Sequence, residues 1–242
     1  MTSLSIIIPS YNEAQNIPLI CARLSEIMRD RPDVEAILVN NGSTDGSDLV
    51  FKREFDQLNP SQFQLVKVDI NQGYGYGILQ GLKKARGQVL AWTHSDMQTD
   101  PVDVLRAFDL YRAQTGPVLV KGKRRNRALL DQLFTTGMQW IVYFYIGSKL
   151  DDINAQPKMF SRAFFEDCVA QKAPFDFSLD LFLLHQAMTH GVRVLEVPVD
   201  FSNRLYGDAK GGGSWKTKIK LIRRTFAYII AMRDELRKGG MA

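Results

Sequence analysis

Glu35-Ala-Ile-Leu-Val39-Asn40-Asn41-Gly42-Ser43-Thr44-Asp45-Gly46 carries an apolar run straight into a cluster of turn-forming residues. A short apolar run bounded by Asn, Gly, Ser and Asp reads as a buried strand closed by a turn, and a helical pattern from Ser47 to about Leu58 follows it. The same succession comes before it. Leu4-Ser-Ile-Ile-Ile8-Pro9 reads as a buried strand, followed by a polar turn and a helical pattern from about Ile17 to Met28. It also recurs afterwards, with a strand at Phe63 to Val68, a helix from Gly77 to Ala85 and a strand from Gln88 to Thr93. A helix from Pro101 to about Thr115 and a strand from Pro117 to Gly122 continue the pattern, which becomes less regular beyond Lys123. Strand and helix alternating at this interval imply βαβ units, a mostly parallel sheet, and ligands received where loops leave the carboxyl ends of the strands.

The chain has 242 residues, 45% of them hydrophobic and 24% charged, which suits one sizeable catalytic domain with an ample core. A formal net charge of +5 points to anionic partners such as nucleic acid, phospholipid headgroups or a phosphorylated small molecule. The 2 cysteines, Cys21 and Cys168, lack metal-type spacing, so a disulfide framework is not expected and a reducing compartment fits. Ser10, Asn12, Glu13, Gln15 and Asn16 interrupt the first apolar run, which does not read as a secretory signal. The longest apolar stretch, around Leu133 to Ile146, falls short of the ~20 residues a bilayer span needs. A soluble or peripheral protein is the expectation.

The strand expected to end at Thr93 delivers the densest chemistry, His94-Ser-Asp96-Met-Gln98. If the segment stays extended, His94, Asp96 and Gln98 project from one side of it. An imidazole nitrogen, a carboxylate and an amide carbonyl can share a divalent cation, leaving positions open for water or diphosphate oxygens. Taken alone, the stretch also reads as a strand cap entering a helix at Asp100-Pro101.

Four segments in this order, Ser5-Ile-Ile-Ile-Pro9-Ser-Tyr11-Asn12-Glu13, Val39-Asn-Asn-Gly42-Ser-Thr-Asp45-Gly46, Asn71-Gln-Gly73 and Ser95-Asp96-Met-Gln98, resemble the GT-A glycosyltransferases of family 2. Within that family the chain is most similar to dolichol- or polyprenyl-phosphate mannose synthases, whose Arg-x-Tyr-Gly-x-x-Lys segment is matched by Arg204-Leu-Tyr206-Gly207-Asp-Ala-Lys210. The resemblance covers about residues 4 to 214. It implies one Rossmann-like α/β/α sandwich over residues 1–214 and an inverting, metal-dependent transfer of a hexose from a GDP- or UDP-sugar; residues 215–242, beyond it, read by their spacing as a C-terminal basic amphipathic helix.

The resemblance also implies roles for residues. Asp96 is the principal metal ligand, with Gln98 and His94 beside it. The family usually has aspartate at the position of His94, and nitrogen ligation favours Mn2+ over Mg2+. Pro9, Tyr11 and Glu13 lie beside the base and ribose, Asn41 reads the base edge, and Gly73, Ser95 and Arg124 complete the nucleotide-sugar site. The Gly73, Gly75 and Gly77 series permits close approach of the nucleotide or a tight turn. Arg204 and Lys210 hold the acceptor's phosphate or the leaving diphosphate, because guanidinium and ammonium groups suit those oxygens.

Asp180 lies in an apolar, helix-like segment, where a carboxylate needs a reason. It reads as a general base if a sugar hydroxyl is the acceptor; a lipid phosphate needs no base, and Asp180 then orients Arg204 or the sugar. Gln156 and Lys158, in the stretch that the resemblance places as the acceptor-side loop, are candidates to bind the acceptor and to touch the transferred sugar. From Trp215 onward, apolar residues at helical spacing alternate with Lys and Arg, a pattern that packs on its own domain or lies on an anionic membrane. The expected activity is transfer to a polyprenyl phosphate at the cytoplasmic face of a membrane. The alternatives are transfer to a saccharide hydroxyl and nucleotide binding without turnover. Nucleic-acid binding is not expected, since no aromatic-interleaved recognition motif is present.

Overall fold

The computed structural model describes residues 2–125 and 152–206. The 215–242 helix, the Leu133 to Ile146 segment and Lys210 lie outside the described residues. The elements run β1 (Leu4–Ser10), α1 (Ile17–Met28), β2 (Val34–Asn41), α2 (Ser47–Phe55), β3 (Phe63–Val68), α3 (Tyr74–Lys84), β4 (Val89–Trp92), α4 (Val102–Arg112) and β5 (Val118–Arg125). After residue 151 come β6 (Lys158–Ser161), the short α5 (Arg162–Phe164) continuing into a π-helical turn (Phe165–Val169), α6 (Leu179–Thr189) and β7 (Arg193–Asp200).

The strands form one seven-stranded sheet in the order β3-β2-β1-β4-β6-β5-β7. Only β6 runs antiparallel, to both β4 and β5, so the sheet is mixed and mostly parallel. Side chains alternate faces along each strand. Leu4, Ile6 and Ile8 of β1 and Val34, Ala36 and Leu38 of β2 join one buried cluster with α1, α2 and α4. Ile7, Ile37, Val39, Leu90 and Trp92 join the other, with α3 and α6. Helices therefore cover both faces, giving the expected α/β/α sandwich.

Two sequence expectations shift. Helix α3 begins at Tyr74 rather than Gly77, because packing outweighs the low helix propensity of glycine. A Cβ at Gly73, where φ is +124°, would lie 2.3 Å from the Phe175 carbonyl oxygen, and one at Gly77 would lie 2.7 Å from the Asn41 side chain. These glycines admit other parts of the protein to close range, so a close-approaching nucleotide is not needed to explain them. Cys21 is buried and Cys168 half-buried, both as free thiols.

The register places the carboxyl ends of β1, β2 and β4 together: Ser10 pairs with Asn40, and Ile7 with Trp92. Because β6 is antiparallel, its first residue, Lys158, pairs with Trp92 at that same edge.

Candidate active site

A cleft of about 480 Å³ opens along this edge. Pro9, Tyr11 and Glu13 reach it from the end of β1 and Asn41 from the end of β2. Gly73 arrives just before α3, and His94, Ser95, Asp96 and Gln98 follow β4. Arg124 at the end of β5, Gln156 before β6, Asp180 in the first turn of α6, and Arg204 beyond β7 complete the set.

The loops are braced against one another. The Asn12 N–H donates to Ser43 Oγ at 3.0 Å, the Thr44 N–H to Asn12 Oδ1 at 2.7 Å, and the Ala14 N–H to Asp45 Oδ2 at 3.1 Å. Asn40 turns away from the cleft, accepting from the Ser43 N–H at 3.1 Å and donating to Asp48. Its role is to shape the βα turn. Asn41 faces the cleft. Its Nδ2 donates to the Gly73 carbonyl at 2.9 Å, which fixes the amide orientation, and its buried Oδ1 has no partner among the described residues.

The extended geometry expected for His94, Asp96 and Gln98 does not occur. Strand β4 ends at Trp92, and Met97 takes a left-handed φ of +58°. The three side chains share the cleft because a turn folds them there; strand alternation plays no part. Asp96 is 6% exposed, and its Oδ1 accepts from the Gln98 N–H at 3.1 Å, a short-range bond that stabilises the turn. The Ser202 N–H donates to the Gln98 carbonyl at 2.8 Å and Gln98 Nε2 to the Ser202 carbonyl at 3.2 Å, so the segment after β7 is tied to this turn.

That tie delivers Arg204. Its Nη2 lies 2.7 Å from Asp96 Oδ2 and its Nη1 2.9 Å from Glu13 Oε1. Burial works against the guanidinium charge, but the Asp96 and Glu13 carboxylates more than offset it and hold the Arg204 pKa above its ordinary value. Arg124 grips Asp152 through its backbone N–H at 2.8 Å and through its guanidinium, which also lies 5.2 Å from the centre of the Phe201 ring.

The floor beside α6 is a polar network. Gln156 Nε2 donates to Asp180 Oδ1 at 2.9 Å and to Tyr74 Oη at 3.1 Å. Lys158, fully buried, lies 2.9 Å from Asp180 Oδ1 and donates to the Ala155 carbonyl at 2.6 Å. Burial pushes the Lys158 pKa down, with the Asp180 carboxylate opposing it. Burial, reinforced by Asp180, pushes the Tyr74 phenol well above its usual range, so it works as a neutral hydroxyl.

These contacts revise two sequence expectations. Lys158 does not line the cleft, because its ammonium is spent beneath the floor on Asp180. Asp180 orients Gln156, and the carboxylates beside Arg204 are instead Asp96 and Glu13. Sequence reasoning missed Tyr74, Phe177 and Phe201 as parts of the site. Tyr74 stacks on Phe177 with ring centres 4.9 Å apart and planes 10° from parallel. An aromatic set between glycines at Gly73-Tyr74-Gly75 was the available signal.

A divalent cation is compatible with this donor set only when the ligand contributes. Among the described residues no three His, Cys, Asp or Glu side chains converge as a metal cage. One buried carboxylate, one imidazole and one amide are present, a partial shell with positions left for substrate oxygens and water.

Comparison with known proteins agrees with this architecture. The chain is 28% identical over 208 residues to the dodecaprenyl-phosphate galacturonate synthase of Rhizobium johnstonii, covering 78% of this chain but 60% of that protein. It is 28% identical over 227 residues to the polyprenol monophosphomannose synthase of Mycolicibacterium smegmatis, covering 86% and 81%. Its fold matches crystalline glucosyl-3-phosphoglycerate synthase from Mycobacterium tuberculosis, in complex with Mn2+, UDP and glucosyl-3-phosphoglycerate. That match has a TM-score of 0.73 and 16% identity, over 96% of this chain and 80% of that one. The GT-A fold is thereby shown. The family described as Glycosyl transferase family 2 matches residues 5–168, more than half of the 242 residues, and the chain belongs to that family.

Proposed function

We propose that this family 2 glycosyltransferase is an inverting, metal-dependent enzyme that moves a hexose from a nucleotide diphosphate sugar to a polyprenyl phosphate. The observation that carries this reading is Asp96, a buried carboxylate on the cleft wall with His94 and Gln98 beside it and the Arg204 guanidinium against it. Negative charge grows on the diphosphate as the anomeric bond breaks, and fixed positive charge in a water-poor cleft stabilises it. Asp96, His94 and Gln98 would hold a Mn2+ or Mg2+ ion, which supplies Lewis-acid stabilisation when bound. The M. tuberculosis enzyme, solved with Mn2+ and UDP, supports this, as do the names of the R. johnstonii and M. smegmatis relatives for a polyprenyl phosphate acceptor.

The chain's own residues define the rest. Asn41 lines the cleft, and its Oδ1 is a buried acceptor without a partner among the described residues. Uracil and guanine each offer a ring N–H to such an acceptor, so the residue suits UDP or GDP. Arg204 and Arg124 supply guanidinium forks for phosphate oxygens. Lys210, for which the same role is proposed, follows in the motif begun by Arg204.

Asp180 lines the cleft, and this favours a second reading in which a saccharide hydroxyl is the acceptor and Asp180 removes its proton. The commitment of Asp180 Oδ1 to both Lys158 and Gln156 favours the phosphate acceptor, which arrives already ionised. No described helix is long and apolar enough to cross a membrane. The test is a transfer assay pairing UDP- and GDP-hexoses with a short polyprenyl phosphate or an oligosaccharide, with and without Mn2+. Metal-dependent transfer to the lipid phosphate supports the reading. Transfer only to the saccharide supports the second, and nucleotide binding without hydrolysis or transfer overturns both.

A further inference from the structure

The lateral order of the strands works as a ruler along the cleft. Asn41 ends β2, Pro9 and Ser10 close β1, Asp96 follows β4, and Gln156 precedes β6, so three inter-strand steps separate the Asn41 end from the Gln156 end. At about 4.8 Å per step this is roughly 14 Å, a span suited to an extended nucleotide diphosphate sugar. With the base at Asn41 and the diphosphate at Asp96, the transferred hexose falls at Gln156.

Gln156 is built to read it. The residue is 1% exposed, and its Nε2 is pinned by Asp180 Oδ1 and Tyr74 Oη at 2.9 and 3.1 Å. A carboxylate accepts only, so the NH2 group must face Asp180 and the carbonyl must face away from it. That carbonyl oxygen, Oε1, is buried and has no partner among the described residues. Asp180 is itself held by Lys158, whose ammonium also ties down the Ala155 carbonyl immediately before Gln156. The amide of this cleft-lining residue is thus fixed on both sides, and what its Oε1 lacks is a donor.

We propose that Gln156 is a specificity-determining residue that accepts a hydrogen bond at Oε1 from one hydroxyl of the transferred hexose. This rests on the functional reading above. The test pairs nucleotide donors deoxygenated singly at each hexose hydroxyl with the wild type, Gln156→Met, and Gln156→Asn, which keeps the amide but withdraws it by one methylene. In the wild type one deoxy donor should lose at least about tenfold in kcat/KM, the scale of one buried hydrogen bond. Gln156→Met should impose a similar loss on the natural donor and little further loss on that deoxy donor, so the two changes are non-additive. Gln156→Asn should show the same non-additivity and covers the case in which the Met variant fails to fold. Binding of UDP or GDP with Mn2+, measured by calorimetry, should be unchanged in both variants. Additive penalties at every hydroxyl, with nucleoside diphosphate binding intact, overturn this assignment alone. Failure of the wild type to bind any nucleoside diphosphate overturns the functional reading and this assignment with it.

Discussion

Arg204 Nη2 sits 2.7 Å from Asp96 Oδ2, a contact that joins the segment beyond β7 to the turn after β4. The carboxylate proposed to anchor a cation is therefore paired with a guanidinium. Both charges are largely buried, and a buried carboxylate without a partner is costly.

Removing the guanidinium separates its two proposed duties. Arg204→Ala should lower transfer by on the order of a hundredfold, the scale of losing one preorganised charge contact to the transition state. Donor binding should fall only a few-fold, and Mn2+ affinity, read by titration calorimetry, should not fall, because Asp96 loses a competitor. Equal damage to donor binding and transfer would reassign Arg204 to the donor.

His94→Asp exchanges an imidazole for a hard anionic oxygen ligand. Activity should persist, and the ratio of Mg2+-supported to Mn2+-supported turnover should rise. An unchanged ratio would place His94 outside the metal's coordination shell.

Lys158 and Asp180 form a buried ion pair at 2.9 Å. Lys158→Met should destabilise the fold by about 3–5 kcal/mol, because it strands a buried carboxylate. Denaturant unfolding checks this, and combining it with Asp180→Leu should recover much of the loss. A Lys158→Met variant as stable as the wild type would show that the pair does not hold the floor.

Asn41→Leu removes the buried Oδ1 acceptor. The affinity for UDP or GDP should drop by about tenfold, one hydrogen bond's worth. A thermal-shift panel reads this, since a ligand selective for the folded state raises its apparent stability. Equal shifts by UDP and GDP in the variant and the wild type would remove Asn41 from base recognition.

The sheet was legible because its signals are local. The apolar runs at Leu4 to Ile8 and Glu35 to Val39, each ending in Asn, Gly, Ser or Asp, mark buried strands by length and punctuation alone. The site residues were legible as types but not as partners. The geometry of Asp96 was misread because Met97 turns left-handed, which no periodicity announces, and the Arg204 contact spans residues that only the fold brings together. Lys158 was read as a contact from its place in an acceptor-side loop; lysine is rarely buried, and only the position of Asp180 on α6 explains why this one is. Gly77 illustrates the converse: read as the start of the helix, it lies inside α3, where a side chain would collide with Asn41.

The central claim is that Asp96 anchors a cation which meets the diphosphate in this cleft. Crystals soaked with Mn2+ and UDP or GDP test it most directly. The account predicts an anomalous manganese peak coordinated by the Asp96 carboxylate, with the diphosphate oxygens beside it and Arg204 released from that carboxylate oxygen. A manganese peak away from Asp96, or a diphosphate lodged outside the cleft, would contradict it.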